Sequence, residues 1–218
     1  MTEASSLFEA IHGLRAVRRF RPDPVEDDKI REILGAAVMA PNAGNAQPWR
    51  FIVVRNHETR VKIREIAVRA WRQLVRYIQT PAMARGFDEG RLMVENTDKV
   101  PVLIFVFGDT TPYVESAKRL AKIALKLRVP RAWRQLNLNL SASVYPAVQN
   151  ILLSARGLGL GTCLTTSIIL REREVKQVLK VPKELRLFSL IYLGYPAVAL
   201  RPPTRRPVEE FIYSEGWS

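Results

Sequence analysis

Residues 40–55 read Ala40-Pro41-Asn42-Ala43-Gly44-Asn45-Ala46-Gln47-Pro48-Trp49-Arg50-Phe51-Ile52-Val53-Val54-Arg55. Two prolines frame a loop that carries the amides of Asn42, Asn45 and Gln47, and a β-branched and aromatic run over 50–55 then predicts a strand. A purely structural turn has no need of three amides so close together. Such a loop can offer side-chain amides and backbone N–H groups to a heteroaromatic ring, and we read it as functional. Upstream, Asp27 and Asp28 favour the positive end of a helix over 26–39, with Ile30, Ile33, Leu34 and Ala37 on one face. Downstream, the pattern is helical from about 57 to 78. Helix, loop, strand and helix in this order predict α/β or α+β architecture around one central sheet.

The rest of the chain extends that unit. Leu7, Phe8, Ile11 and Leu14 repeat at helical spacing and open the fold. The segment Arg15-Ala16-Val17-Arg18-Arg19-Phe20 follows, and Pro22 and Pro24 then forbid further helix. Val102 to Phe107 is a continuous apolar run, short enough for a buried strand, and Leu187 to Leu193 is a second strand closed by Gly194-Tyr195-Pro196. Helices are expected over 115–128 and over 141–156, the latter ending at Gly157 as a C-cap, and over 171–179 ahead of Pro182. No repeat or composition shift divides the chain, so residues 1–218 are expected to form one domain. The tail from Ala197 is rich in Pro and Arg and has little apolar surface. It is either mobile or laid along something else, such as another subunit.

Composition narrows the function classes. Of 218 residues, 47% are hydrophobic and 25% charged, as in an ordinary globular protein. One cysteine and two histidines cannot build a zinc site or an internal disulfide. The N-terminus lacks a signal-peptide pattern and no run is long enough to span a bilayer, so the expected compartment is the cytoplasm. There is no G-x-S-x-G elbow, no Walker A loop and no standout carboxylate pair, so no side chain is expected to act as nucleophile, acid or base. His12, His57 and Cys163 read as ordinary polar or packed residues. The run Gly157-Leu158-Gly159-Leu160-Gly161-Thr162 follows a helix, whereas a dinucleotide fingerprint follows a strand. Gly159 and Gly161 would let backbone approach a ligand closely. Arg15, Arg18 and Arg19, with Arg205 and Arg206 in the tail, are guanidinium forks suited to phosphate.

Taken in order, these motifs carry a resemblance. Arg15-x-x-Arg18-Arg19-Phe20 with Pro24-Val25, the 40–51 loop, the 157–162 glycine run, Leu193-Gly194-Tyr195-Pro196 and Arg205-Arg206-Pro207 resemble the nitroreductase family of FMN-dependent oxidoreductases across nearly the whole chain. The resemblance implies an α+β fold with a central, mostly antiparallel sheet flanked by helices, and a homodimer with FMN at the subunit interface. It implies that Arg15, Ala16 and Arg18, with Arg205 or Arg206, hold the phosphate and ribityl chain. Pro41, Asn42, Ala43, Asn45 and Gln47 of the partner chain would cover the flavin, and Leu164, Thr165 and Thr166 would lie along its ring, with no metal involved. The C-terminal extension 197–218 would pack on the partner subunit. The implied activity is ping-pong hydride transfer from NADH or NADPH to nitroaromatic, quinone or related small-molecule acceptors. In such enzymes the cofactor carries the chemistry and the protein orients it. The sequence departs from the family pattern at Leu14 and Ala16, where Arg-Arg-Ser is usual, and at Asn42, where Ser often follows Pro.

The formal charge of +13 keeps other readings open. Residues 113–135 hold Lys118, Arg119, Lys122, Lys126, Arg128, Arg131 and Arg134. They read as a lid attracting anionic ligands, as a solvated helix or, ranked last, as a membrane-surface helix. A specific flavin oxidase, dehydrogenase or reductive dehalogenase is the alternative enzyme. A basic nucleic-acid-binding protein is the alternative outside enzymes, though no nucleic-acid motif is present and neither nucleic acid nor membrane is expected as a partner.

Overall fold

Strand β2 (Val102–Asp109) decides how the layers form. Its side chains alternate across the pleat. Val102, Ile104 and Val106 enter one hydrophobic cluster, and Leu103, Phe105 and Phe107 enter another. A strand covered on both faces therefore reads as an unbroken apolar run. The computed structural model describes residues 6–76, 81–113, 129–199 and 205–217, with backbone alone at 81–87 and 129–136.

β2 pairs antiparallel with β1 (Trp49–Val54) on one side and with β4 (Leu185–Gly194) on the other. β4 pairs antiparallel with β3 (Gly161–Thr165), giving the order β1-β2-β4-β3. One face of the sheet packs on α2 (Asp27–Ala37) and α5 (Val129–Gly157), through Ile30, Ile33, Val144, Val148 and Ile151. The other packs on α3 (His57–Val75), α4 (Pro81–Glu95) and α6 (Glu172–Leu179), through Ile63, Ile66, Ala67, Met93 and Val175. The α+β class and the antiparallel sheet are as expected.

Several boundaries differ from the sequence reading. Among the described residues α5 is already helical at Val129, ahead of the expected 141, and it carries Pro146 in its interior. Its end turns at Gly159, which takes φ +75, and not at Gly157. α4 forms over a stretch to which the sequence reading assigned no element. Cys163 sits inside β3, buried. The expected helix over 115–128 lies outside the described residues.

The opening helix α1 (Leu7–Gly13) forms, but its apolar stripe faces outward. Phe8 is 71% exposed, and Leu7 and Ile11 are exposed beside it. The tail likewise carries Val208, Phe211, Ile212, Tyr213 and Trp217 on the surface, Trp217 at 85%. Its apolar surface is thus large, contrary to the sequence reading. Patches of this kind mark contact surfaces.

Candidate active site

The first arginine motif is held by backbone pairing. Val17 donates its N–H to the Thr162 carbonyl at 2.8 Å, and Ala16 pairs with Thr162 in an isolated parallel bridge. Arg21 N–H to Tyr195 O and Ala197 N–H to Arg19 O continue the contact along the chain after β4. Gly161 makes this close approach possible. A Cβ there would lie 2.6 Å from Val17 Cγ2 and 2.9 Å from Val17 Cβ. Gly161 thus makes room for the Val17 side chain. It brings Arg15, Ala16 and Arg18 to the free edge of β3, the strand that ends in Leu164 and Thr165.

Arg15 donates to the carbonyls of His12 (2.8 Å) and Leu14 (3.0 Å) at the end of α1. Arg18 pairs with Glu89 of α4 at 2.8 Å, a partner the sequence did not declare. Cys163 is near enough to feel both charges. Burial pushes its thiol up from the ordinary value, Arg18 pulls it down, and Glu89 adds to the rise. A neutral, packed thiol agrees with the sequence reading. At the end of β3, Leu164 is partly exposed, Thr166 is exposed, and the Thr165 hydroxyl meets that of Ser167 at 2.9 Å.

The 41–48 loop uses its amides largely on itself. Asn42 Oδ1 accepts the Gln47 N–H at 2.8 Å, and Asn42 Nδ2 donates to the Ala40 carbonyl at 3.3 Å. Gln47 Nε2 donates to Asn45 Oδ1 at 3.2 Å. These bonds hold a strained path. Gly44, Asn45 and Gln47 have φ of +59, +52 and +46, sparsely populated for a residue such as glutamine. Strain at a candidate site persists only where the surroundings over-determine it. Ties to the body do so here: Asp109 N–H to Pro48 O at 2.7 Å, Arg50 Nη1 to Gln47 O at 3.1 Å, and Ala43 N–H to Ser143 Oγ at 3.1 Å. Ser143 was not singled out from sequence, because a lone serine inside a helical period carries no signal.

The amide loop and the arginine motif lie apart in the chain. The loop leads into β1, whereas the arginine motif lies against β3, at opposite edges of the sheet. Three ladder steps separate these edges, about 14 Å at the usual strand spacing. In the tail, Arg206 pairs with Glu210 at 3.1 Å and lies over the Phe211 ring at 4.4 Å, while Arg205 is exposed.

A sequence model of the nitroreductase family matches residues 11–195. The chain belongs to the nitroreductase family. Over 214 residues it is 33% identical to a Methanothermobacter thermautotrophicus protein that carries the name NADH dehydrogenase/NAD(P)H nitroreductase, covering 97% of this chain and 87% of that one. It is 29% identical over 198 residues to an NADH dehydrogenase of Thermus thermophilus, covering 91% and 90%. Its fold matches the crystal structure of oxidized iodotyrosine deiodinase bound to FMN and 3-iodo-L-tyrosine with a TM-score of 0.75, at 24% identity, over 98% of this chain and 100% of that one.

The excess of basic residues is partly structural. On α3, Arg60 donates to the Pro101 carbonyl at 2.7 Å, Arg64 pairs with Asp98 at 3.3 Å, and Arg69 pairs with Glu174 at 2.6 Å. These arginines tie α3 to its neighbours, which removes much of the motive for a nucleic-acid reading. The basic residues at 118–134 lie outside the described residues and side chains. Among the described residues no helix is long and apolar enough to cross a membrane, and no acid, His and Cys cluster could hold a metal.

Proposed function

We propose that this nitroreductase-family chain is an FMN-dependent, homodimeric oxidoreductase that uses NADH or NADPH to reduce small acceptors such as nitroaromatics or quinones. The observation that carries the reading is the pairing of Ala16 and Val17 with Thr162 above Gly161. It runs the segment that carries Arg15 and Arg18 along the strand that ends in the partly exposed Leu164–Thr166 edge, a strip on which a flat ring can lie. Ala16 is exposed and adds little bulk, so the cradle is open on that side. These residues fit a flavin mononucleotide: cations for a phosphate, an apolar and hydroxyl-bearing edge for a ring.

The separation of the amide loop from this edge supports the dimer. A second copy can bring its loop, with Pro41, Asn42, Ala43, Asn45 and Gln47, to the ring held at β3 of the first. The exposed Leu7, Phe8 and Ile11 and the apolar tail supply surface for that contact, and the extension 197–218 would lie on the partner. Arg15 and Arg18, with Arg205 or Arg206, would hold the phosphate and ribityl groups. Bound there, the flavin would supply the two-electron chemistry. The chain's part is to bind, orient and shield it. The backbone around Thr165 would offer N–H donors to the ring, and no side chain is assigned a proton-transfer role.

The test is the mass and visible spectrum of the small molecule released by denaturation, together with oligomeric state and NADH- or NADPH-driven turnover of a nitroarene and a quinone. A yellow dimer that turns over supports the reading. A colourless monomer refutes it. A second reading, reductive dehalogenation, is favoured by the fold match to iodotyrosine deiodinase. It predicts halide release from a halogenated phenol by the reduced enzyme, with nitroarenes ignored. A metabolite-specific oxidase or dehydrogenase would instead show reduction by its metabolite without nicotinamide.

A further inference from the structure

Ser143 lies in α5 and is 1% exposed. Its hydroxyl joins three parts of the chain. It accepts the Ala43 N–H from the amide loop at 3.1 Å and the Tyr113 hydroxyl, just beyond β2, at 3.1 Å. Its own proton goes to the Asn139 carbonyl one turn earlier at 2.8 Å. A serine hydroxyl has one donor and two acceptor sites, and all three are used. The oxygen is thus fixed in place and orientation. Tyr113 is itself 8% exposed and packed in the core around α5, so the cluster is rigid.

The loop held by that oxygen is the strained one. Asn42 closes it internally, Asp109 and Arg50 tie its Gln47–Pro48 end to the sheet, with Arg50 Nη1 donating to the Gln47 carbonyl at 3.1 Å, and Ser143 ties its other end to α5. Asp109 grips the Pro48 end; Ser143 grips the end that carries Asn42, Ala43 and Gly44. Without that grip, Gly44 and Asn45 are freer to leave their left-handed conformations, and the loop loses its preset shape. We infer that Ser143 is a positioning residue for the cofactor: through Ala43 it presets the loop that one protomer lends to the flavin of the other. This rests on the function proposed above.

The experiment compares FMN release from the purified holoenzyme, followed as recovery of free-flavin fluorescence after dilution, in wild type, Ser143→Ala and Tyr113→Phe. Tyr113→Phe removes a bond to the same buried oxygen but leaves the Ala43 bond in place, so it reports what general loosening of the cluster does. Ser143→Ala is expected to speed release about tenfold, the loss of roughly one hydrogen bond. It should also speed amide exchange over 42–47 while β2 and β4 stay protected. Tyr113→Phe is expected to stay within threefold. Release within twofold of wild type in Ser143→Ala, or equal acceleration in both variants, overturns the proposal. Should the alanine variant not accumulate folded, Ser143→Cys keeps the volume and weakens the acceptor, and the same outcomes apply. A flavin-free wild type overturns the proposal and the function reading together. A flavin-loaded wild type beside an unchanged variant overturns the proposal alone.

Discussion

Gly161→Ala is the sharpest test of how the arginine motif is held. The added Cβ would meet three atoms of one residue, Val17 Cγ2 at 2.6 Å and Cβ and Cγ1 at 2.9 Å. Ordinary carbon contacts lie near 3.5–4.0 Å, so about 1 Å of movement is required. β3 cannot supply it, because its ladder with β4 is fixed over Gly161–Thr165. Val17 must move, although it is 1% exposed and bonded to Thr162. Overpacking of this kind costs about 1–3 kcal/mol, and the strained or lost hydrogen bond adds about 0.5–1.5. A loss of roughly 2–4 kcal/mol in urea unfolding is therefore expected. Arg15, Ala16 and Arg18 move with Val17, so FMN affinity should fall at least tenfold. Gly161 does not have positive φ, so backbone strain adds nothing. Val17→Ala removes both Cγ atoms, and the double variant should be less destabilised than the sum of the two single ones. Unchanged stability and FMN affinity in Gly161→Ala, or strict additivity in the double variant, would refute the reasoning.

Other substitutions probe separate parts of the argument. Gly157→Ala meets nothing within 4 Å and needs no positive φ, so it should be neutral or stabilise by up to about 1 kcal/mol in the same unfolding assay. Thr97 donates to the Val94 carbonyl at 2.8 Å, so Tyr192 must be the donor in the buried Thr97–Tyr192 contact at 3.2 Å. Thr97→Val therefore strands a buried phenol donor and is expected to cost about 1–3 kcal/mol, more than Tyr192→Phe, which strands none. The Arg69 guanidinium, bonded to Glu174 at 2.6 Å, holds that carboxyl below its ordinary value. A depressed carboxylate stabilises the fold above its unfolded pKa and loses that contribution as pH falls through the folded value. Arg69→Met should thus cost under about 1 kcal/mol at pH 7, as expected for a partly exposed pair, and the difference from wild type should vanish in acid. A difference that grows on acidification would mean that the pair is not the cause.

What the sequence made legible was whatever short-range pattern encodes. The unbroken apolar run of Val102–Phe107, the shared face of Ile30, Ile33 and Ala37, and the proline-framed amide loop all announce themselves within a dozen residues. What it hid are contacts between distant segments. Nothing local in Ala16 or Val17 says that they lie on Thr162, and nothing in Glu89 says that it meets Arg18. The same limit explains the glycine run. Gly157, Gly159 and Gly161 look alike in sequence, yet one is open, one turns the chain with positive φ, and one makes room for Val17. It also explains why α1 misled. Leu7, Phe8 and Ile11 carry the right spacing for a core-facing stripe, but periodicity reports that a face is apolar, not which body covers it. With the arginine motif and the amide loop at opposite edges of one sheet, that uncovered face and the apolar tail become the part of the pattern a single copy of the chain leaves unexplained. The proposed dimer is the arrangement that would account for both at once.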